Sequence, residues 1–308
     1  MLVRSLLLVC FVLAAAAPRT AADGLLADHP LVDTIVEVAS DASIDRATLE
    51  ERLEAATFVL LGEKHDNPRH HVIQAELVDA IGRAGELEAV AFEMLPTDRQ
   101  AALTEHLAFG GSVADLDQAV RWGELGWGPW TWYGPIAFAG DRHGATLVAA
   151  NLSRAETRAV YEGGLSALEA RLLRRTGLDE PLDPAEQARR EQGMVEAHCG
   201  HALGGAAARM VDVQRARDAR MAERLATLAG SGKGVLITGN AHADKVRGVP
   251  VPLQHLRAEA DVVSVGLIEV RAAWTSVPDE NWPYDYVWFT PRAKPEDHDY
   301  CADMRPAN

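Results

Sequence analysis

The stretch FVLLGEKHDNP, Phe58–Pro68, decides how the chain folds. Its apolar run, Phe58–Leu61, has the length and continuity of a strand buried on both faces. The run stops at Gly62, and Glu63, Lys64, His65 and Asp66 follow without interruption. Asn67 can then cap a helix and Pro68 can occupy its first position, with Ile73, Leu77 and Ile81 recurring on one face until Gly85. Strand, polar turn and helix make a βα unit. The turn reads either as solvated surface loop or as a site at the strand's carboxyl end.

Working outward, the same grammar recurs. Leu87–Glu93, Thr146–Asn151 and Gly234–Gly239 read as further buried strands. Thr97 with Gln100, and Ser153 with Glu156, have the spacing of capping boxes after the second and third strands. A fifth strand, Val262–Val270, and the aromatic run YDYVWFT, Tyr284–Thr290, are expected to complete the sheet. This predicts an α/β fold, a mostly parallel central sheet flanked by helices. Between Ala155 and Gly232 the pattern is helical throughout, and residues 161–205 are expected to form a small inserted helical subdomain.

The strand ends carry an echo. VLLGEKH and LITGNAH share the spacing G-x-x-H, Gly62 to His65 and Gly239 to His242, while the second strand ends in Glu93 and the third in Asn151. Carboxyl ends of parallel strands share one edge, where ligands bind. Glu63, His65, Glu93, Asn240 and His242 should therefore converge there, with Asn151 alongside. Glu93 weighs most, because a carboxylate inside AVAFEML is costly to bury without a partner. A histidine, a metal or a lysine would serve, and Lys64 is the candidate for a purely structural ion pair. His65, Glu93 and His242 could ligate a divalent metal ion with Glu63 as base for a bound water, or the same residues could form a hydrogen-bonded network without an ion.

Other features are softer. WGELGWGPWTWYGPI, Trp122–Ile136, gathers four tryptophans and Tyr133, as either core or the wall of a flat apolar pocket. His198 and His201 in HCGH have ligand-like spacing but adjoin a cysteine, and read as structural or solvated. Gln214, Asp218 and Met221, with Arg217, share a helix face that either reaches the crevice or is salt-bridged.

The first residues bound the setting. Arg4, an apolar run Ser5–Ala17 too short to span a bilayer, and small residues at Thr20 and Ala22 predict a signal peptide over residues 1–22, leaving 23–308 as the mature domain. Losing Arg4 and Arg19 with no acid takes the formal charge from −15 to −17. Such acidity argues against nucleic acid as a partner. The remaining cysteines, Cys199 and Cys301, are expected to pair in an exported chain.

Taken together, GEKHDN, AFEM, AANLSR, VQRARDARMAE and ITGNAHADKVRGVP resemble the ChaN-like haem-binding uptake proteins, relatives of the Tiki proteases and erythromycin esterases. The likeness runs in order from about Asp33 to Arg305. It implies an α/β domain with a helical appendage, a periplasmic or envelope location, and a role in iron or haem uptake with haem as cofactor. It also implies that Glu63, His65, Glu93 and His242 form the active or metal site. In the haem-binding member two haems stack within a dimer, with tyrosine as iron ligand; a homodimer follows as an expectation, and Tyr133 is the tyrosine taken as counterpart. The leading expectation is a binder of haem or a related iron ligand, and the alternative is a metal-dependent hydrolase, protease- or esterase-like, using the strand-end residues.

Overall fold

A computed structural model describes residues 24–200 and 205–303. The predicted signal peptide lies outside the described residues. Eight strands form one sheet, β1 (Ile35–Glu37), β2 (Ala42–Ile44), β3 (Phe58–Glu63), β4 (Leu87–Pro96), β5 (Thr146–Asn151), β6 (Lys233–Gly239), β7 (Val262–Glu269) and β8 (Tyr286–Thr290), in the order β2-β1-β8-β7-β3-β6-β4-β5. From β8 to β5 every pairing is parallel. At the other edge β1 runs antiparallel to β8, and β2 antiparallel to β1.

The continuous apolar runs are explained by cover on both faces. Alternation along β3 sends Val59 and Leu61 into one core layer and Phe58 and Leu60 into the other. The helices Pro68–Ala84 and Trp130–Arg142 pack together on the first face, and the helix Gly205–Leu228 crosses β4 and β5 on the second. Asn67 caps the helix after β3 through the Arg69 amide, with Pro68 in the first turn and Gly85 ending it. Ser153 and Glu156 form the predicted reciprocal capping box.

Thr97 and Gln100 do not. That segment begins as a single 3₁₀ turn, and the Gln100 side chain bonds instead to the Leu147 carbonyl and the Ala149 amide on β5. Thr97 donates to Glu156. Both side chains stitch the sheet edge rather than cap a helix.

Between β5 and β6 the chain is helical, with helices Arg154–Gly163, Ala170–Thr176, Pro184–Ala197 and Gly205–Leu228. Part of this region has a core of its own, in which Leu152, Val160, Leu168, Leu172 and Leu178 pack on Ala216 and Ala219. Cys199 and Cys301 are disulfide-bonded, tying the end of the helix Pro184–Ala197 to the tail. The tail is pinned a second time, as the Tyr300 hydroxyl meets Lys64 and Asp66 beside the end of β3.

Candidate functional site

The two G-x-x-H units sit side by side, because β3 and β6 are parallel neighbours with Gly62 opposite Thr238 and Glu63 opposite Gly239. Each glycine makes room for the other unit. A Cβ on Gly62 would lie 2.6 Å from Asn240 Oδ1, and one on Gly239 would lie 2.7 Å from His65 Nε2. The strand ends can therefore interlock only if both positions lack a side chain.

Glu63 is fully buried and surrounded by donors. His65 Nδ1 donates to its Oε1 at 2.8 Å, the Tyr133 hydroxyl donates to the same oxygen at 2.9 Å, and His71 Nδ1 lies 2.9 Å from Oε2. His71 Nε2 is directed at the His65 carbonyl, 3.2 Å away, so the helix following the turn braces the turn itself. Burial pushes the Glu63 carboxyl up, but the hydrogen bond from His65 and the closeness of the His71 imidazole win, and hold it at about 2. Burial likewise opposes the charge on His65, yet its bond to Glu63 and the field of Glu93 leave the imidazole raised.

Glu93 has a second set of partners. Its Oε2 accepts from Thr238 Oγ1 and the Gly239 amide, both at 2.7 Å, and its Oε1 accepts from Arg217 Nη2 at 2.7 Å. His242 Nε2 stands 3.5 Å from Oε1, and His242 Nδ1 donates to Asp218 Oδ1 at 2.5 Å. Burial again raises the Glu93 carboxyl, and the charges of His242, Arg217 and His65 with the Gly239 amide bring it to about 2. Burial lifts Asp218 above its usual range despite His242 beside it. Asn151 aligns this group, accepting from Arg217 Nε and donating to the Glu93 carbonyl.

The sequence offers Lys64 as a structural ion partner for Glu93, and that pairing does not form. Lys64 turns outward to Glu269, at 2.8 Å, and to Tyr300. Arg217 takes its place, so the helix face carrying Arg217 and Asp218 does reach the crevice, while Met221 packs into the core.

These groups floor a cavity of about 900 Å³. Trp127, Trp274 and Trp282 contribute aromatic faces, with the Trp127 ring 4.8 Å from that of His65. Arg190, Arg247 and Arg271 are among the cations on its walls. Arg271 lies over Trp274 and forms no ion pair among the described residues. Asn240 lines the same cavity, bonded to the Leu267 carbonyl, and its buried Oδ1 has no partner among the described residues. A second cavity, about 640 Å³, adjoins the first and shares Glu93, Trp127, His198, Gln214 and Arg217 with it.

Tyr133 is a different matter from the expectation placed on it. It is wholly buried in the core, its hydroxyl committed to Glu63, and it lines neither cavity. Burial and the neighbouring carboxylates push its phenol up, which opposes the phenolate an iron would need. The metal expectation for His65, Glu93 and His242 meets the same difficulty: among the described residues no cluster of three or more His, Cys, Asp or Glu is arranged to hold a metal ion. Their donors already serve Glu63, Arg217, Thr238 and Asp218. His201 lies outside the described residues.

Sequence reasoning missed His71, whose position six residues after His65 on the capped helix was its only signal. It also missed Trp274 and Trp282, which sit in an irregular loop with no periodicity to mark them.

An open, mostly parallel sheet whose carboxyl edge floors a polar and aromatic cavity has the architecture in which α/β proteins bind ligands. The family described as haem-binding uptake, Tiki superfamily, ChaN matches residues 49–253, and the chain belongs to that family. Among solved structures it is similar to the ChaN of Campylobacter jejuni, described with cofacial haem binding, at 22% identity and a TM-score of 0.65 over 82% of this chain and 95% of that one. More distant likenesses are the type III effector HopBA1, at 14% identity and TM-score 0.43 over 86% of this chain and 99% of that one. An erythromycin esterase variant in its open conformation follows at 15% identity and TM-score 0.43, covering 84% and 82%. No curated protein matches the chain.

Proposed function

We propose that the protein is an exported haem-binding component of iron or haem uptake, and that the ligand occupies the larger cavity at the carboxyl edge of the sheet. Family membership is one support. The observation that carries the reading is the cavity's chemistry. Haem is flat, apolar across its faces and anionic at its two propionates, and this cavity offers indole faces at Trp127, Trp274 and Trp282 with arginines beside them. Bound haem would supply an iron with open axial positions and a broad apolar plate. Residues 161–205 act as the appendage of this reading, since Arg190, Met194 and His198 from it form one wall.

The test is titration of the purified protein with ferric haem. A saturable change in the haem Soret band near one equivalent is expected, weakened in Trp127→Ala and Arg271→Ala. A protein that leaves the haem spectrum unaltered at micromolar concentration sinks the reading.

One observation favours a second reading. Two imidazole–carboxylate pairs, His65 with Glu63 and His242 with Asp218, face the same cavity, an arrangement suited to general acid–base hydrolysis. Ester or peptide cleavage abolished in Glu63→Gln, in a protein indifferent to haem, would promote it.

A further inference from the structure

Resting on the haem reading, we propose that His198 is the axial ligand of the haem iron, bonding through Nε2. Among the described residues three imidazoles line the larger cavity, and their surroundings separate them. His242 is buried with both nitrogens facing carboxylates, Asp218 and Glu93. His65 gives its Nδ1 to Glu63 and sits with Nε2 against the Gly239 backbone. His242 cannot turn a lone pair to an iron without breaking a buried ion pair, and the lone pair that His65 keeps on Nε2 lies against the Gly239 position.

His198 differs in each respect. Its Nδ1 donates to the Met194 carbonyl at 2.9 Å, a neutral partner one helical turn back. That bond fixes the tautomer and leaves the lone pair on Nε2, for which no protein partner is present among the described residues. Metal-bound histidines commonly carry such a carbonyl on the remote nitrogen. The ring is partly exposed and belongs to the wall common to both cavities, so a ligand in either meets it. The Met194 side chain lines the larger cavity as well.

The backbone beyond His198 is held in an unusual state. Cys199 has φ of 55°, in the left-handed region that a residue with a Cβ seldom enters, at a cost of about 1–2 kcal/mol. Its disulfide to Cys301 anchors that turn to the tail. A strained, covalently fixed turn is a reason for His198 to keep one orientation before any ligand arrives. The HCGH motif thus acquires a role: a ligand followed by its anchor.

Tyrosine is the competing donor. Among the described residues none lines the larger cavity, and Tyr161, on the wall of the smaller one, is the alternative the experiment must separate.

The parent protein, His198→Ala and Tyr161→Phe are loaded with one equivalent of ferric haem and compared by visible absorption and electron paramagnetic resonance, with circular dichroism to confirm the fold. The parent should show imidazole ligation. His198→Ala should lose that signature, weaken haem affinity roughly tenfold or more, and regain the parent spectrum on adding free imidazole. Tyr161→Phe should match the parent. A His198→Ala protein with the parent's spectrum and affinity overturns the assignment, as does a spectrum altered only in Tyr161→Phe. A parent that binds no haem removes the haem reading and this assignment with it.

Discussion

Lowering the pH should unfold this protein through two particular carboxyls. Glu63 and Glu93 are each held at about 2 against an ordinary value of 4.5, and each is almost wholly buried. A carboxyl depressed in the folded state stabilises it above its ordinary value, and that contribution fades as pH falls from 4.5 through about 2. Fully developed, each is worth on the order of 3 kcal/mol. By pH 3 roughly 2 kcal/mol of each is gone, about 4 kcal/mol for the two, against a total of about 5–15 kcal/mol for a typical domain. His65 works in the opposite sense, since its raised imidazole stabilises fully below 6.5 and loses that contribution as pH rises through its folded value. Urea unfolding followed by tryptophan fluorescence at pH 7, 5, 4 and 3 measures the loss. The double variant Glu63→Gln, Glu93→Gln should start less stable and show a much shallower decline from pH 5 to 3. If it loses as much as the parent over that interval, other carboxyls drive acid unfolding and the burial argument fails.

Gly239→Ala would place a Cβ 2.7 Å from His65 Nε2, so the ring must shift; a stability loss of about 1–3 kcal/mol and an altered haem spectrum are expected, read by urea midpoint and titration. Arg217→Ala strips the nearest cation from a buried carboxylate, and should cost about 3–5 kcal/mol, whereas Arg217→Lys should recover part of it; equal stability of all three proteins would show that Thr238 and Gly239 suffice. Cys301→Ser opens a loop spanning 102 residues and should lower stability by up to about 4.7 kcal/mol; calorimetry of parent and variant checks it, and an unchanged melting temperature would count against the bridge as a constraint.

The parallel strands were legible because both faces are covered, which writes burial as an unbroken apolar run at β3 and β5. β1 and β2 were not, since strands of three residues carry too few side chains to show a period. Gln100 misled because a capping-box spacing says nothing of where the side chain turns once a neighbouring strand offers amides. At the site, Glu63, His65, Glu93, Asn151, Asn240 and His242 do come together, as the strand-end argument required. Arg217 and Asp218 were visible as one helix face, but which strand that helix would cross is a tertiary fact. Tyr133 stands in aromatic company that splits between core and cavity: Trp122 is buried with it, whereas Trp127 faces the cavity.

The order of the strands sets a constraint on how the chain can assemble as it emerges amino terminus first. β4 and β5 are sheet neighbours and can pair within a short stretch of chain, but β3 lies between β6 and β7, whose residues begin only at Lys233 and Val262. Until then the strand bearing Glu63 has two open hydrogen-bonding edges and an apolar sequence, the condition under which partly made chains associate with one another. Contacts this remote in sequence also slow folding. The strand bearing Glu63 therefore waits, unpaired, for the second half of the chain, and any cell that makes the protein in quantity must keep that strand from finding the wrong partner.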